Sequence, residues 1–165
     1  MHEHLSARAS EIIGNIQYLT IASISSSGEP WNTPVFTAFD DQLNFYWFSD
    51  HQAQHSRNVR ETGKAFLVIY DSTVPEGTGE GVYIQAAVKE LTQEAEVLSA
   101  LRILDARAGK KKPRDFNNYS GGAILRGYQA RPLKIWMNSD ETNADGEYIR
   151  DIRVELDLKS LIRNR

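Results

Sequence analysis

Strict alternation between apolar and polar side chains is the feature that most limits how this chain can fold. In residues 82–89 and again in residues 151–158, every second side chain is apolar. This period places the apolar side chains on one face of a β-strand, whereas a helix needs a period near 3.6. Shorter runs with strand character occupy residues 20–25, 31–39, 43–48, 65–70, 123–130 and 133–137. The sequence therefore predicts a mainly β protein.

Three other stretches, residues 5–16, 52–61 and 94–108, have helical spacing. Many short strands that are adjacent in sequence, with few helices, favour an antiparallel barrel with the helices packed outside. Because the chain of 165 residues has no repeat and no low-complexity linker, we predict one domain over residues 1–165.

The composition excludes several classes of protein. The chain contains no cysteine, so it has no disulfide, thiolate metal site or cysteine nucleophile. A formal net charge of -3 argues against binding of nucleic acid through bulk positive charge. No apolar run approaches the roughly 20 residues that span a bilayer, and the polar segment Met1–His4 lacks the order of a signal peptide. We therefore predict a cytoplasmic protein that has neither nucleic acid nor membrane as a partner.

Two predicted strands indicate their own place in the sheet. Pro34 lies inside strand 31–39, and since proline cannot donate a ladder hydrogen bond, this strand is expected at a sheet edge or a bulge. Residues 43–48 are apolar or aromatic on both faces, which predicts burial on both sides. We interpret this strand as a barrel wall that also meets a second subunit, because an exposed aromatic face would form a large apolar patch. The sequence thus predicts a homodimer.

Trp31–Val35 is the first candidate binding segment. A proline here leaves ladder groups free, so that the backbone can face a planar ligand, while Asn32 and Thr33 can bond ring carbonyls and nitrogens. The alternative is an edge strand whose proline only blocks unwanted pairing. Trp136, on a late strand, has two similar interpretations, since it either fills a core or interface or stacks on a flat aromatic ligand.

A candidate anion site follows the strand that ends at Ser49. A brief loop and a helix start come next, and free N–H groups at a helix N-terminus favour negative charge. Arg57 can grip a phosphate bidentately, and His55 and Ser56 add donors. The alternative is a polar surface helix with Arg57 in solvent. His51 and His55 lie four residues apart, but without a third ligand nearby we predict no metal site.

No side chain is identified as catalytic. The sequence has no nucleophile elbow, no phosphate-cradling glycine loop of the usual spacing and no carboxylate pair suited to acid–base work. We interpret Lys110–Arg114 as a helix cap and a solvated loop rather than as a binding patch. An enzyme with this sequence would therefore depend on a cofactor for its chemistry.

The order of these features resembles the pyridoxamine phosphate oxidase-like family of FMN-binding split β-barrels. The resemblance runs from the first helix to about Leu158. It rests on Thr20–Ser23, Gly28–Pro30, Pro34–Val35, Leu43–Trp47, His55–Asn58, Gly81–Ile84 and Tyr128–Trp136. It implies a mainly β, antiparallel split barrel with short helices outside, and a homodimer with two FMN sites at the subunit interface.

The resemblance also implies a role for each candidate residue. Those expected along the isoalloxazine ring are Asn32, Thr33, Pro34 and Val35. Those expected along the ribityl chain and phosphate are Trp47, Phe48 and Ser49. Those expected around the phosphate are Gln54, His55, Ser56, Arg57 and Asn58. Trp136 is expected to approach the flavin from the partner chain.

The chain departs from pyridoxamine phosphate oxidase itself in its cations. The oxidase has an arginine near Thr33 and a lysine near Ala38, both used for FMN, and neither cation is present here. His55 stands where the oxidase has a phosphate-binding lysine. We therefore predict that the chain is not a vitamin B6 oxidase.

The leading functional prediction is an FMN-dependent oxidoreductase that passes electrons from a reduced nicotinamide to a small acceptor. One alternative is a non-catalytic flavin or haem carrier, or a stress-associated protein. Another is a dimer that has kept the barrel and lost its ligand. Deazaflavin-dependent reductases and haem-binding proteins are relatives within the superfamily, so deazaflavin and haem are alternatives to FMN.

Overall fold

The computed structural model describes residues 2–163, so the first residue and the last two residues of the domain predicted over 1–165 lie outside the described residues. The helices are α1 (His2–Asn15), α2 (Gln54–Thr62), α3 (Glu94–Arg107) and α4 (Leu158–Arg163). The strands are β1 (Tyr18–Ile24), β2 (Pro30–Phe36), β3 (Ala38–Phe39), β4 (Phe45–Asp50), β5 (Lys64–Tyr70), β6 (Gly81–Glu90), β7 (Leu125–Thr142) and β8 (Tyr148–Leu156). None of the helices in the described range combines the length and apolar character needed to cross a membrane.

The strands form one antiparallel sheet in the order β2-β1-β5-β6-β7-β4-β3, with β8 paired to β7. The 18-residue β7 organises this sheet. It pairs with β4 at its start, with β6 along its middle and with β8 at its end. The prediction of a mainly β, antiparallel split barrel with short flanking helices is confirmed.

The edge position predicted from Pro34 is also confirmed. β2 ends the sheet order and pairs with β1 alone among the described strands. The predicted strand 31–39 is interrupted at Thr37, whose N–H donates to the carbonyl of Gln17 at 3.0 Å and whose hydroxyl donates to the carbonyl of Tyr46 at 3.0 Å. The first bond holds the end of β2 beside the start of β1, and the second ties it to β4, the strand near the opposite edge of the sheet.

The C-terminal strands differ from the prediction. The predicted strands 123–130 and 133–137 are one strand, because Pro132 lies at a register shift opposite β6, where its missing N–H interrupts no regular ladder. The predicted last strand ends at Leu156 rather than running through residue 158. Asp157 then caps α4, because its carboxylate accepts hydrogen bonds from two groups of the next turn, at 3.1 and 2.8 Å.

Both faces of β4 are covered by the chain itself. Phe45 and Trp47 are fully buried in the main core. On the other face, Tyr46 packs in a second cluster that includes Leu101 and Leu104 of α3. The predicted two-sided burial is confirmed, but α3 provides the cover that the sequence interpretation assigned to a second subunit. This strand therefore gives no argument for a dimer.

Candidate functional site

A cavity of about 400 Å³ lies where β2, β4, α2 and the segment after α3 meet. Six of the residues predicted to bind a cofactor line it: Thr33, Pro34, Val35, Phe48, Ser49 and His55. The structure adds Phe36, Leu104, Arg114, Tyr119 and Leu125. The fold thus brings the predicted ring-binding strand and the predicted phosphate-binding segment to one cavity, although they are separated in sequence.

The edge strand β2 forms the apolar wall of this cavity. Val35 is buried and Pro34 has no N–H, so this part of the wall presents hydrocarbon. The Thr33 hydroxyl accepts a hydrogen bond from Nε1 of Trp31 at 2.9 Å. Since the outer edge of β2 pairs with no other described strand, its remaining ladder groups are available to a ligand.

Phe48 forms the opposite wall, and a glycine determines its position. Phe48 pairs with Gly127 of β7, where a Cβ atom would lie only 2.9 Å from Cε1 of Phe48. The ring of Tyr119 packs edge-on against Phe48, with 4.5 Å between ring centroids. Any larger side chain at position 127 would displace Phe48 and reshape the cavity.

The first turn of α2 presents free hydrogen-bond donors. No side chain caps this helix at Ala53, and the backbone N–H groups of Gln54, His55 and Ser56 have no acceptor among residues 2–163. Free N–H groups at a helix N-terminus attract negative charge because they add to the helix dipole.

His55 and Ser56 are the buried polar side chains at this turn, and His55 is the one that lines the cavity. His55 is 6% exposed, and its Nε2 has no hydrogen-bond partner in the described part of the chain. Burial lowers the pKa of His55, and the carboxylate of Asp50 opposes this shift only in part. A buried polar atom without a partner costs about 1–3 kcal/mol. A ligand that bonds to Nε2 would remove this penalty.

Arg114 is a cavity residue that the sequence interpretation does not identify. It belongs to the run that we assigned to a solvated loop, but its side chain is only 17% exposed and lines the cavity. Its Nη1 lies 3.0 Å from Oδ1 of Asp105. The aromatic residues of the following 3₁₀ turn, Phe116–Tyr119, were the available signal, because they indicate that this segment packs on the core rather than extending into solvent.

Of the seven predicted residues that do not line the cavity, three lie outside α2. Trp47 is fully buried and stacks on Tyr128, with 5.6 Å between ring centroids, so its side chain belongs to the core. Asn32 faces a separate groove beside Trp31. Trp136 stacks on Phe66, which lines the same groove, at 6.2 Å.

The remaining helix residues hold α2 in place. Asn58 is fully buried, accepts a hydrogen bond from Gln54 at 2.7 Å and donates to the hydroxyl of Ser23 at 3.1 Å. Ser56 is fully buried near Tyr128, and its hydroxyl has no hydrogen-bond partner among the described residues. Arg57 is exposed, and its guanidinium bonds to its own helix start, at the carbonyl of residue 52 and at the side chain of Gln54.

Among the described residues, His51 and His55 do not belong to a cluster of side chains that could bind a metal ion. Across residues 2–163, no three histidine, aspartate or glutamate side chains come together in an arrangement that could hold a metal ion. His55 faces the cavity without such neighbours, so its free Nε2 is available to a ligand of another kind.

Solved structures with the same fold come from several bacteria. The haem storage protein HutZ from Vibrio cholerae is 13% identical, with a TM-score of 0.66 over 78% of this chain and 91% of that one. A haem-binding protein from Mycobacterium smegmatis is 16% identical, with a TM-score of 0.68 over 96% of this chain, which spans 60% of that protein. An FAD-binding protein from Mesorhizobium loti is 12% identical, with a TM-score of 0.58 over 79% of this chain and 91% of that one. These identities show a shared fold alone.

Sequence comparison identifies the family. No curated protein matches this sequence significantly. A family model described as pyridoxamine 5'-phosphate oxidase matches residues 5–128, a span that includes β2, β4, α2 and Arg114. This match covers most of the chain and contains every wall of the cavity. The chain therefore belongs to the pyridoxamine 5'-phosphate oxidase family.

Proposed function

We propose that this chain is an FMN-binding flavoprotein and an oxidoreductase that passes electrons from a reduced nicotinamide to a small acceptor. The observation that carries the proposal is the cavity in which an apolar edge strand meets a helix turn with unused donors. FMN has the matching shape, since it joins a flat aromatic ring to a phosphate.

The cavity residues suit the two ends of FMN. The phosphate would lie against the first turn of α2, where the free N–H groups, His55 and the hydroxyl of Ser49 supply donors. The ring would lie along Thr33–Val35, opposite Phe48. Bound flavin supplies the redox chemistry that no side chain of this protein offers. The protein binds and orients the ring and keeps water from one of its faces.

We propose further that two copies associate through the outer face of β1, β2 and β5. A groove of about 790 Å³ crosses this face, and Ile24 and Trp31 at its side are each 49% exposed. Exposed apolar patches of this kind mark interfaces. Sedimentation is expected to give a dimer for the unmodified chain and a monomer for Trp31→Lys. A monomeric unmodified chain would exclude this arrangement.

Haem binding is the second candidate function. Two of the structurally similar proteins are a haem storage protein and a haem-binding protein. In this chain, His55 is buried with a free Nε2, and a histidine of this kind can hold a haem iron. The same atom therefore serves either candidate, and a spectrum is needed to separate them.

The test is the visible absorption spectrum of the purified protein after incubation with FMN or with haem, followed by gel filtration. We expect flavin bands that stay with the protein and no retained haem band. A retained haem band without flavin would replace the proposal with the second candidate. Oxidation of reduced nicotinamide with a panel of acceptors then distinguishes an enzyme, which turns over with saturation, from a carrier, which does not.

A further inference from the structure

The side chain of Arg114 is a cation in the cavity, and it has no role in the phosphate site described above. Among the described residues that line the cavity, Arg114 is the one side chain with a permanent charge. Arg57, the arginine selected from the sequence, lies outside this lining and bonds back to its own helix start. An anion that enters the cavity therefore meets the charge of Arg114 rather than that of Arg57.

Asp105, near the end of α3, positions Arg114. One carboxylate oxygen lies 3.0 Å from Nη1, and the other accepts the backbone N–H of Arg114 at 2.9 Å. Asp105 is itself only 8% exposed, so both partners of the pair are largely out of solvent. Within residues 2–163, no acceptor forms a hydrogen bond with Nε, Nη1 or Nη2 of Arg114, so its contact with Asp105 at Nη1 is an ion pair that leaves the guanidinium donors unused. Since a guanidinium carries five N–H donors, it can hold Asp105 and a second anion together.

The segment that carries Arg114 packs against the strand end where the phosphate site begins. Tyr119, in the 3₁₀ turn after Arg114, contacts the ring of Phe48, and Ser49 follows Phe48 directly. Arg114, Ser49 and His55 line the same cavity. We propose that Arg114 binds the phosphate of FMN and supplies the permanent positive charge of the site. This inference rests on the proposed function, because it needs FMN in this cavity.

The experiment compares two ligands that differ by the phosphate alone. Dissociation constants for FMN and for riboflavin are measured by flavin fluorescence on the unmodified chain, Arg114→Gln, Arg114→Lys and Lys112→Ala. Lys112 is exposed in the same loop, so its variant is the matched control for loss of one positive charge. Arg114→Gln leaves Asp105 without its partner, so the double variant Asp105→Asn/Arg114→Gln is measured as well, to separate a folding defect from a binding defect.

We expect Arg114→Gln and the double variant to weaken FMN about 10- to 100-fold, as for loss of a charged hydrogen bond. Riboflavin affinity is expected to stay unchanged, Arg114→Lys to retain part of the FMN affinity and Lys112→Ala to bind FMN as the unmodified chain does. Unchanged FMN affinity, or an equal loss for both ligands, would overturn the inference and leave the proposed function intact. An unmodified chain that binds neither ligand would overturn both.

Discussion

The groove beside Trp31 and the cavity beside His55 share the strand β2, whose first residues face the groove and whose later residues face the cavity. The groove is the larger, at about 790 Å³ against about 400 Å³. Its one charged lining residue, Lys64, is exposed, whereas the cavity contains the unpartnered Nε2 of His55 and the largely buried Arg114. Volume therefore does not identify the cofactor site. We base the proposed cofactor site on the unpartnered Nε2 of His55, because it faces the cavity and a ligand there would satisfy it.

The largest expected effect is the difference in lost stability between substitution of Trp47, in the core, and substitution of Trp31, beside the groove. Trp47→Ala removes a fully buried side chain and is expected to cost about 3–5 kcal/mol of unfolding free energy. Trp31→Ala removes a side chain that is 49% exposed and is expected to cost less than about 1 kcal/mol at protein concentrations where the chain is monomeric. Denaturant unfolding of both variants measures the difference. Equal losses would mean that Trp31 belongs to a folded core.

The next effect tests the position of Phe48. Gly127→Ala places a methyl group 2.9 Å from the ring of Phe48, so we expect about 1–3 kcal/mol of lost stability from overpacking, together with weaker FMN binding. Gly122→Ala is the matched control, because a Cβ atom there meets nothing within 4 Å. Unfolding and flavin titration of both variants make the comparison. If Gly127→Ala behaved like its control, Phe48 would not constrain the cavity.

A smaller effect concerns the two histidines. His55→Ala removes the buried donor at the α2 turn and is expected to weaken FMN binding by about 1–3 kcal/mol, the usual cost of leaving a hydrogen-bond partner unsatisfied. His51→Ala is expected to leave the affinity unchanged, because His51 does not line the cavity. Flavin titration checks both variants. An equal loss of FMN affinity in His51→Ala and His55→Ala would indicate that the phosphate does not bind at the α2 turn.

The smallest effect is a pH dependence of the ligand-free protein. Burial lowers the pKa of His55 in the folded chain, while the unfolded chain takes up this proton near pH 6.5. The unfolded state then binds more protons, so the contribution of His55 to stability is complete above about pH 6.5 and is lost as the pH falls. We expect the thermal midpoint of the unmodified protein to fall more steeply on acidification than that of the His55→Gln variant. Parallel curves for the two proteins would show that His55 is not held neutral.

Local periodicity and one proline are sufficient to predict most of the strands and the edge position of β2. The residues expected beside the cofactor follow from the family resemblance, and six of them line the cavity. Arg114 was missed because its burial depends on α3 packing against β4 and on a contact with Asp105, neither of which leaves a local pattern. Its neighbours Lys110–Lys112 are exposed, so the run as a whole has the composition of a solvated loop. Trp47 belongs to the core, whereas the resemblance implies a position beside the ligand, because a resemblance over a stretch of sequence does not show which face of β4 meets the cavity.

A crystal structure of the protein with FMN tests the central claim most directly. We predict the phosphate within hydrogen-bond distance of the first turn of α2, Nε2 of His55 and the guanidinium of Arg114, with the ring along Thr33–Val35. FMN found instead in the groove beside Trp31, or a cavity that stays empty at saturating FMN, would contradict it.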